Sequence, residues 1–149
     1  MMAAATLPSA GYSGRTLPEK LGFKAGMDVA FVALPTELEA LAESVAFGQV
    51  VRTEGWAAPL GPDRALDAVH AFTKSRAEVE TGLSRLQDAI RRDGMIWVSW
   101  PKKASKVATD VTEDVVRDAA LRLDLVDIKV AAIDATWSGL KLMVRKDRR

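Results

Sequence analysis

The stretch VDIKVAAIDATWSGLKLMVR, residues 126–145, carries two runs of strand-forming residues, Val126–Ala135 and Leu140–Arg145, with only Thr136–Gly139 between them. A parallel pair needs a crossover of about a dozen residues or more, so two runs this close must form an antiparallel hairpin. The hairpin decides the fold because everything upstream alternates strand with helix and therefore calls for parallel strands joined by crossovers.

Reading outward from the hairpin, Asp110 and Glu113 have capping spacing and open a helix to about Leu123, whose stripe is Val116, Ala119, Ala120 and Leu123. Met95–Trp100 is an apolar strand with Trp97 and Trp100 on opposite faces. Before it, Ser75 and Glu78 cap a helix with the stripe Val79, Leu83, Leu86 and Ile90; Arg91 and Arg92 suit its negative end, and Gly94 closes it. Leu66–Phe72 and Gln49–Thr53 are strands, and Glu54–Arg64 between them, with two glycines and two prolines, is a loop. Thr36 and Glu39 cap a helix through Leu38, Leu41, Ala42 and Val45 that Gly48 closes. Met27–Leu34 is an apolar strand covered on both faces. Thr16-Leu17-Pro18-Glu19 is a further capping box, closed by Gly22. Residues 1–14, small and polar, form a flexible arm, and residues 15–149 a single domain.

The sum is an α/β chain with a three-layer, doubly wound, mostly parallel sheet that ends in an antiparallel hairpin. This pattern resembles the class I methyltransferase variant of the Rossmann fold, and the resemblance implies the strand order 2-1-3-4-6-5.

Composition bounds the function. The 149 residues include 21 basic and 20 acidic side chains for a net charge of +1, so no global field draws the chain to nucleic acid. The absence of cysteine removes thiolate chemistry and sulfur-bound metals, and one histidine leaves carboxylates as the main candidate metal ligands; no metal and no cofactor is expected. No segment approaches the ~20 apolar residues of a membrane span, and the start reads as no signal peptide, so a cytoplasmic protein is expected. The basic end Arg145–Arg149 reads as a solvated tail rather than a nucleic-acid contact.

In sheets of this kind ligands sit beyond the carboxyl ends of the strands. That edge collects Lys74, the loop with Lys102, Lys103, Ser105 and Lys106, and the turn with Asp134, Trp137 and Ser138. The lysines can hold a small anion, or they can pair with Asp110, Glu113 and Asp114 nearby. Trp137 either folds back over the sheet edge or walls a pocket. The turn after the first strand, VALPTELEA, has no glycine and includes a proline without an amide, so the usual nucleotide cradle is missing. Glu54 stands about 20 residues on, where a carboxylate can hold a ribose. His70, in a central strand without a paired acid or nucleophile, reads as structural.

Three readings follow. The leading one is a non-catalytic binding domain for a small anion held by Lys102, Lys103 and Lys74, with Trp137 as a wall and Tyr12-Ser13-Gly14 as a lid. A second makes the same edge a protein-docking surface anchored by Trp137 and Trp100. A third is a degenerate transferase that takes an S-adenosylmethionine-type cofactor through Glu54. A homo-oligomer is left open.

The blocks GYSGRTLPEKLGFKAGM, MIWVSWPKKASKVATDVTEDVVRDAALRLDLVDIKV and DATWSGLKLMVRK resemble the bacterial domain-of-unknown-function 3052 family over more than half of the chain. The resemblance implies a small bacterial protein and supplies no activity, cofactor or catalytic residue. Its shared residues are Tyr12, Ser13, Gly14, Trp100, Lys102, Lys103, Ser105, Asp110, Glu113, Asp134, Trp137 and Ser138.

Overall fold

A computed structural model describes residues 15–149; the expected arm at residues 1–14, with its lid, lies outside the described residues. The sheet has six strands in the order β2-β1-β3-β4-β6-β5, the order that the resemblance to the class I methyltransferase variant of the Rossmann fold implies. They are β1 (Asp28–Val32), β2 (Gln49–Thr53), β3 (Leu66–Phe72), β4 (Ile90–Pro101), β5 (Leu125–Ala132) and β6 (Trp137–Val144). The pairs β1–β2, β1–β3 and β3–β4 are parallel, whereas β6 runs antiparallel between β4 and β5.

Strand residues alternate between two cores. On one face Ala30, Val32, Val69, Ala71, Ile96, Val98, Leu140 and Leu142 meet helices α2 (Arg76–Ala89) and α3 (Glu113–Leu121) through Val79, Leu83, Leu86, Val116 and Ala120. On the other, Val29, Phe31, Ala68, Phe72 and Trp97 meet α1 (Leu17–Leu21) and a 3-10 segment, Thr36–Glu43. Trp97 and Trp100 fall on opposite faces, as the period of two requires. Burial on both faces explains the unbroken apolar runs Val29–Val32 in β1 and Met95–Val98 in β4.

Cap chemistry sets some of the element ends, and tertiary contacts override it at others. Thr16 and Glu19 form the expected capping box, and Gly22 closes α1 at φ 80°, a conformation that glycine takes without Cβ strain. Thr36 does not cap: Pro35 holds the cap position without a side-chain acceptor, and the segment winds as a 3-10 helix kinked at Leu38 rather than an α-helix. Helix α2 ends at Ala89, five residues short of Gly94, and the chain enters β4 directly at Ile90. Arg91 is consequently no helix-end cation; it bridges Asp67 at 3.1 Å and Asp28 at 3.6 Å across the strand starts. Helix α3 is capped by Thr112, whose hydroxyl accepts from the Val115 amide, while Asp110 accepts from the Arg76 amide at 2.6 Å. No described helix is long and apolar enough to cross a membrane.

Candidate functional site

At the carboxyl ends of β1 and β2 an open cleft of about 510 Å³ is lined by Ala33, Leu34, Glu39, Arg52, Thr53 and Glu54. Its floor is the turn out of β1. Ala33 sits at φ 57°, a left-handed conformation uncommon for a residue with a Cβ, and its amide donates to the Thr53 carbonyl at 2.9 Å, tying the ends of β1 and β2 together. Strain of this kind costs about 1–3 kcal/mol and persists where surrounding structure enforces it, often beside a ligand.

One wall is an ion pair. Arg52 donates through both terminal nitrogens to the Glu39 carboxylate, at 2.6 and 2.8 Å. That hydrogen bonding holds the Glu39 carboxyl below its ordinary range and raises Arg52. Glu54 differs: its carboxylate is exposed and makes no hydrogen bond or ion pair among the described residues. Of the residues singled out by sequence, only Glu54 lines the cleft. The sequence assigns Arg52 and Ala33 no role and Glu39 only that of a helix cap, since nothing in the string marks Ala33 as left-handed, and the Arg52–Glu39 pair joins elements 13 residues apart.

The lysine loop and the hairpin turn share one rim, set apart from the cleft. Pro101 pairs with Trp137 across β4 and β6, and the Lys102 amide donates to the Thr136 carbonyl at 2.8 Å. The Lys74 turn joins them, because its carbonyl accepts from the Thr109 hydroxyl at 2.9 Å. Lys74, Lys102, Lys103 and Lys106 make no ion pair among the described residues. Their expected acidic partners are engaged elsewhere: Glu113 and Asp114 hold Arg117, and Asp110 holds the Arg76 amide.

Several other residues of that rim turn out to shape it. Asp134 accepts from the amides of Thr136 and Trp137 at 2.8 and 2.7 Å, which fixes the turn and uses one carboxylate oxygen twice. The Ser105 hydroxyl donates to the Lys102 carbonyl at 2.7 Å and accepts from the Val107 amide, so it organises the lysine loop. Ser138 lies within β6, paired with Trp100 and Ala132. Trp137 is only 6% exposed and starts β6 instead of standing at the tip. Its ring meets Phe72 edge-on at 5.3 Å, and its Nε1 donates to Glu37 at 3.2 Å. It covers the sheet edge. Trp100 is 7% exposed, so the two tryptophans expected to anchor a docking partner are committed to the core.

Trp56, placed by sequence in a plain loop, is also buried, and its Nε1 donates to the Phe72 carbonyl at 2.9 Å, pinning the β2–β3 connection to the end of β3. His70 is fully buried, with Nε2 2.8 Å from the Ser99 hydroxyl. The basic end folds back: Arg149 donates to the Val144 carbonyl, and Arg145 and Arg148 lie 3.9 Å from Asp147 and Asp124. Among the described residues no group of acids and histidine could hold a metal.

No protein-family model matches the chain, and no characterised sequence does. Solved structures do resemble it. The [4+2]-cyclase SpnF superposes with a TM-score of 0.65 at 9% identity, over 95% of this chain and 88% of that one. A magnesium protoporphyrin IX methyltransferase from Synechocystis, solved with bound SAM, gives 0.59 at 15% identity, over 81% and 71%. A SAM-dependent methyltransferase from Aquifex aeolicus gives 0.54 at 15% identity, over 86% and 89%. At these identities the likeness is one of fold, and the chain has a methyltransferase-like α/β Rossmann-type fold.

Proposed function

We propose that the cleft at the ends of β1 and β2 binds a nucleoside-bearing ligand of the S-adenosylmethionine type, in a domain that retains the binding half of a transferase. The observation that carries this reading is Glu54, a carboxylate without a partner among the described residues at the mouth of a cleft built on the left-handed Ala33. A free carboxylate accepts from two adjacent hydroxyls, as a ribose offers. Ala33 and Leu34 give an apolar surface for a base or an alkyl chain, and the Glu39–Arg52 pair closes the side. The cleft suits a cationic or neutral nucleoside better than a pyrophosphate, for the turn after β1 lacks glycine and Pro35 has no amide to give. When bound, S-adenosylmethionine would supply an electrophilic methyl group. On this chain's side, the acids of the rim are already engaged in turns and ion pairs, which favours binding over proton abstraction.

Thermal unfolding with S-adenosylhomocysteine tests the reading. The ligand should raise the melting temperature of the wild type, and Glu54→Ala should weaken its binding by about 10- to 100-fold, the loss of hydrogen bonds to a charged group. Equal melting curves with and without the ligand would sink it.

A second reading has an observation of its own. Four lysines on one rim without acidic partners among the described residues favour a small anion bound by Lys74, Lys102 and Lys103, either as sole ligand or beside the nucleoside. Lys102→Ala combined with Lys103→Ala should then reduce the stabilisation by a phosphorylated metabolite, by the part that the rim supplies, while leaving that by S-adenosylhomocysteine intact. No stabilisation of the wild type by such anions at millimolar levels would count against it. Membership of the domain-of-unknown-function 3052 family, proposed on the blocks around Trp100, Asp110 and Trp137, is compatible with either ligand.

A further inference from the structure

A different charge anomaly lies away from both regions, on the sheet face that carries α1. Lys129 of β5 and Lys141 of β6 are direct cross-strand partners. Opposed side chains in an antiparallel pair have Cβ atoms about 4.5–5.5 Å apart, and like charges so placed destabilise the sheet. Neither lysine makes an ion pair or a side-chain hydrogen bond among the described residues.

A backbone irregularity creates this juxtaposition. The register of β5 shifts between Asp127 and Lys129, with Ile128 as the extra residue. In a regular strand residues 127 and 129 would share a face. Here Asp127 pairs with Leu142 on the α3 face, where Arg117 donates to it at 3.0 Å, whereas the bulge turns Lys129 to the opposite face against Lys141. The bulge therefore separates Lys129 from the acid nearest to it in sequence. Bulges that re-aim a single side chain recur next to functional sites.

The surroundings sharpen the conflict. Lys141 is half-buried between Trp97 of β4 and Lys129 of β5, with Nζ about 4.0 Å from where a Cβ on Gly22 would stand. The nearby carbonyl of Leu21 already accepts from Trp97 Nε1, and those of Pro18 and Glu19 accept from Phe23 and Gly22 amides. Burial first, and the Lys129 charge second, push the Lys141 ammonium below its ordinary pKa. A third cation stands on the same side, as Lys20 Nζ donates to the Ala132 carbonyl at the end of β5.

We propose that Lys129 and Lys141 form a binding site for a compact oxyanion, the phosphate or carboxylate group of a small metabolite, which bridges the two ammonium groups and removes their repulsion. The site is independent of the nucleoside cleft and of the rim lysines. A bridging anion turns a destabilising pair into two charge-assisted hydrogen bonds.

The test uses the full chain with inorganic phosphate, citrate and, at matched ionic strength, chloride. Phosphate at about ten times its Kd should raise the wild-type melting temperature by roughly 3–6 °C over chloride. Lys129→Gln, on an exposed position, should melt higher than the wild type without phosphate and lose the phosphate-dependent rise. Citrate in place of phosphate reports whether a carboxylate suffices. The Lys102→Ala, Lys103→Ala double variant should keep the rise. A rise that survives Lys129→Gln, a rise that disappears in the rim variant, or no rise in the wild type with either anion would each overturn the assignment.

Discussion

Trp137→Ala is expected to destabilise the protein by about 3–5 kcal/mol, the range for emptying a large aromatic site in a packed core. The ring is buried on the α1 side of the sheet, meets Phe72 edge-on, and spends its indole N–H on Glu37. Removing it leaves a cavity and deletes an aromatic pair worth roughly 0.5–1.5 kcal/mol beyond burial. It also releases Glu37, and with it the tie between the 3-10 segment after β1 and the start of β6. Trp137→Phe should cost less, because the contact with Phe72 survives and only the indole bond and part of the volume are lost. Equilibrium denaturation near neutral pH separates the two readings of this residue. A loss below about 1 kcal/mol, typical of surface positions, would mean that the ring is free for a ligand or partner and that its burial is misplaced.

The same residue shows why the fold was legible in the sequence and the site only partly so. The parallel sheet and its antiparallel hairpin follow from which runs alternate and how many residues separate them, both properties of the string, whereas the strand order rests on the resemblance to the methyltransferase variant of the Rossmann fold. The pattern of strand-forming residues places the start of the last strand at Leu140, whereas it begins at Trp137. Three residues of error turned an edge-covering tryptophan into a tip. Ile90 was ambiguous for a related reason: it continues the helical stripe of α2 and is also an inward residue of β4, so the stripe could not reveal where the period changes. Arg91 and Arg92 seemed to confirm a helix end, yet Arg91 answers two acids at the starts of β1 and β3. Only tertiary structure brings those acids together.

Glu54 was found because its distance from β1 follows from the topology. Ala33 was not, since its backbone conformation is imposed by the bond to Thr53 rather than by its own preference. The lysines of the rim were visible as a run. Their lack of acidic partners is set by tertiary structure, because Thr112 caps the helix while Arg76 and Arg117 engage the acids around it.

A steep loss of stability on mild acidification is the second large effect expected, and it originates in His70. The imidazole is fully buried, stacked on Phe72 at 4.3 Å, with Nε2 on the Ser99 hydroxyl and Nδ1 without a partner among the described residues. No acid faces it, so burial alone pushes its pKa down from the ordinary 6.5 to about 3. The folded state therefore prefers the neutral ring, and the unfolded chain takes up a proton first. The contribution is complete above pH 6.5 and is lost as the pH falls toward 3, at up to about 1.4 kcal/mol per pH unit. Carboxylates held below their ordinary range, such as Glu19 and Asp127, lose their contributions only further down, near and below pH 4. The window from pH 6 to 5 thus reports the histidine. Replacing both partners, His70→Leu with Ser99→Ala, leaves no polar atom of the pair behind and should be nearly neutral at pH 7.5. It should flatten the stability profile between pH 6 and 5, whereas His70→Leu alone leaves the Ser99 hydroxyl unsatisfied and should cost about 1–3 kcal/mol more. A double variant whose denaturation midpoint falls across that window as steeply as the wild type's would show that His70 is not the group being charged, and that the centre of the sheet admits water or a proton by some other path.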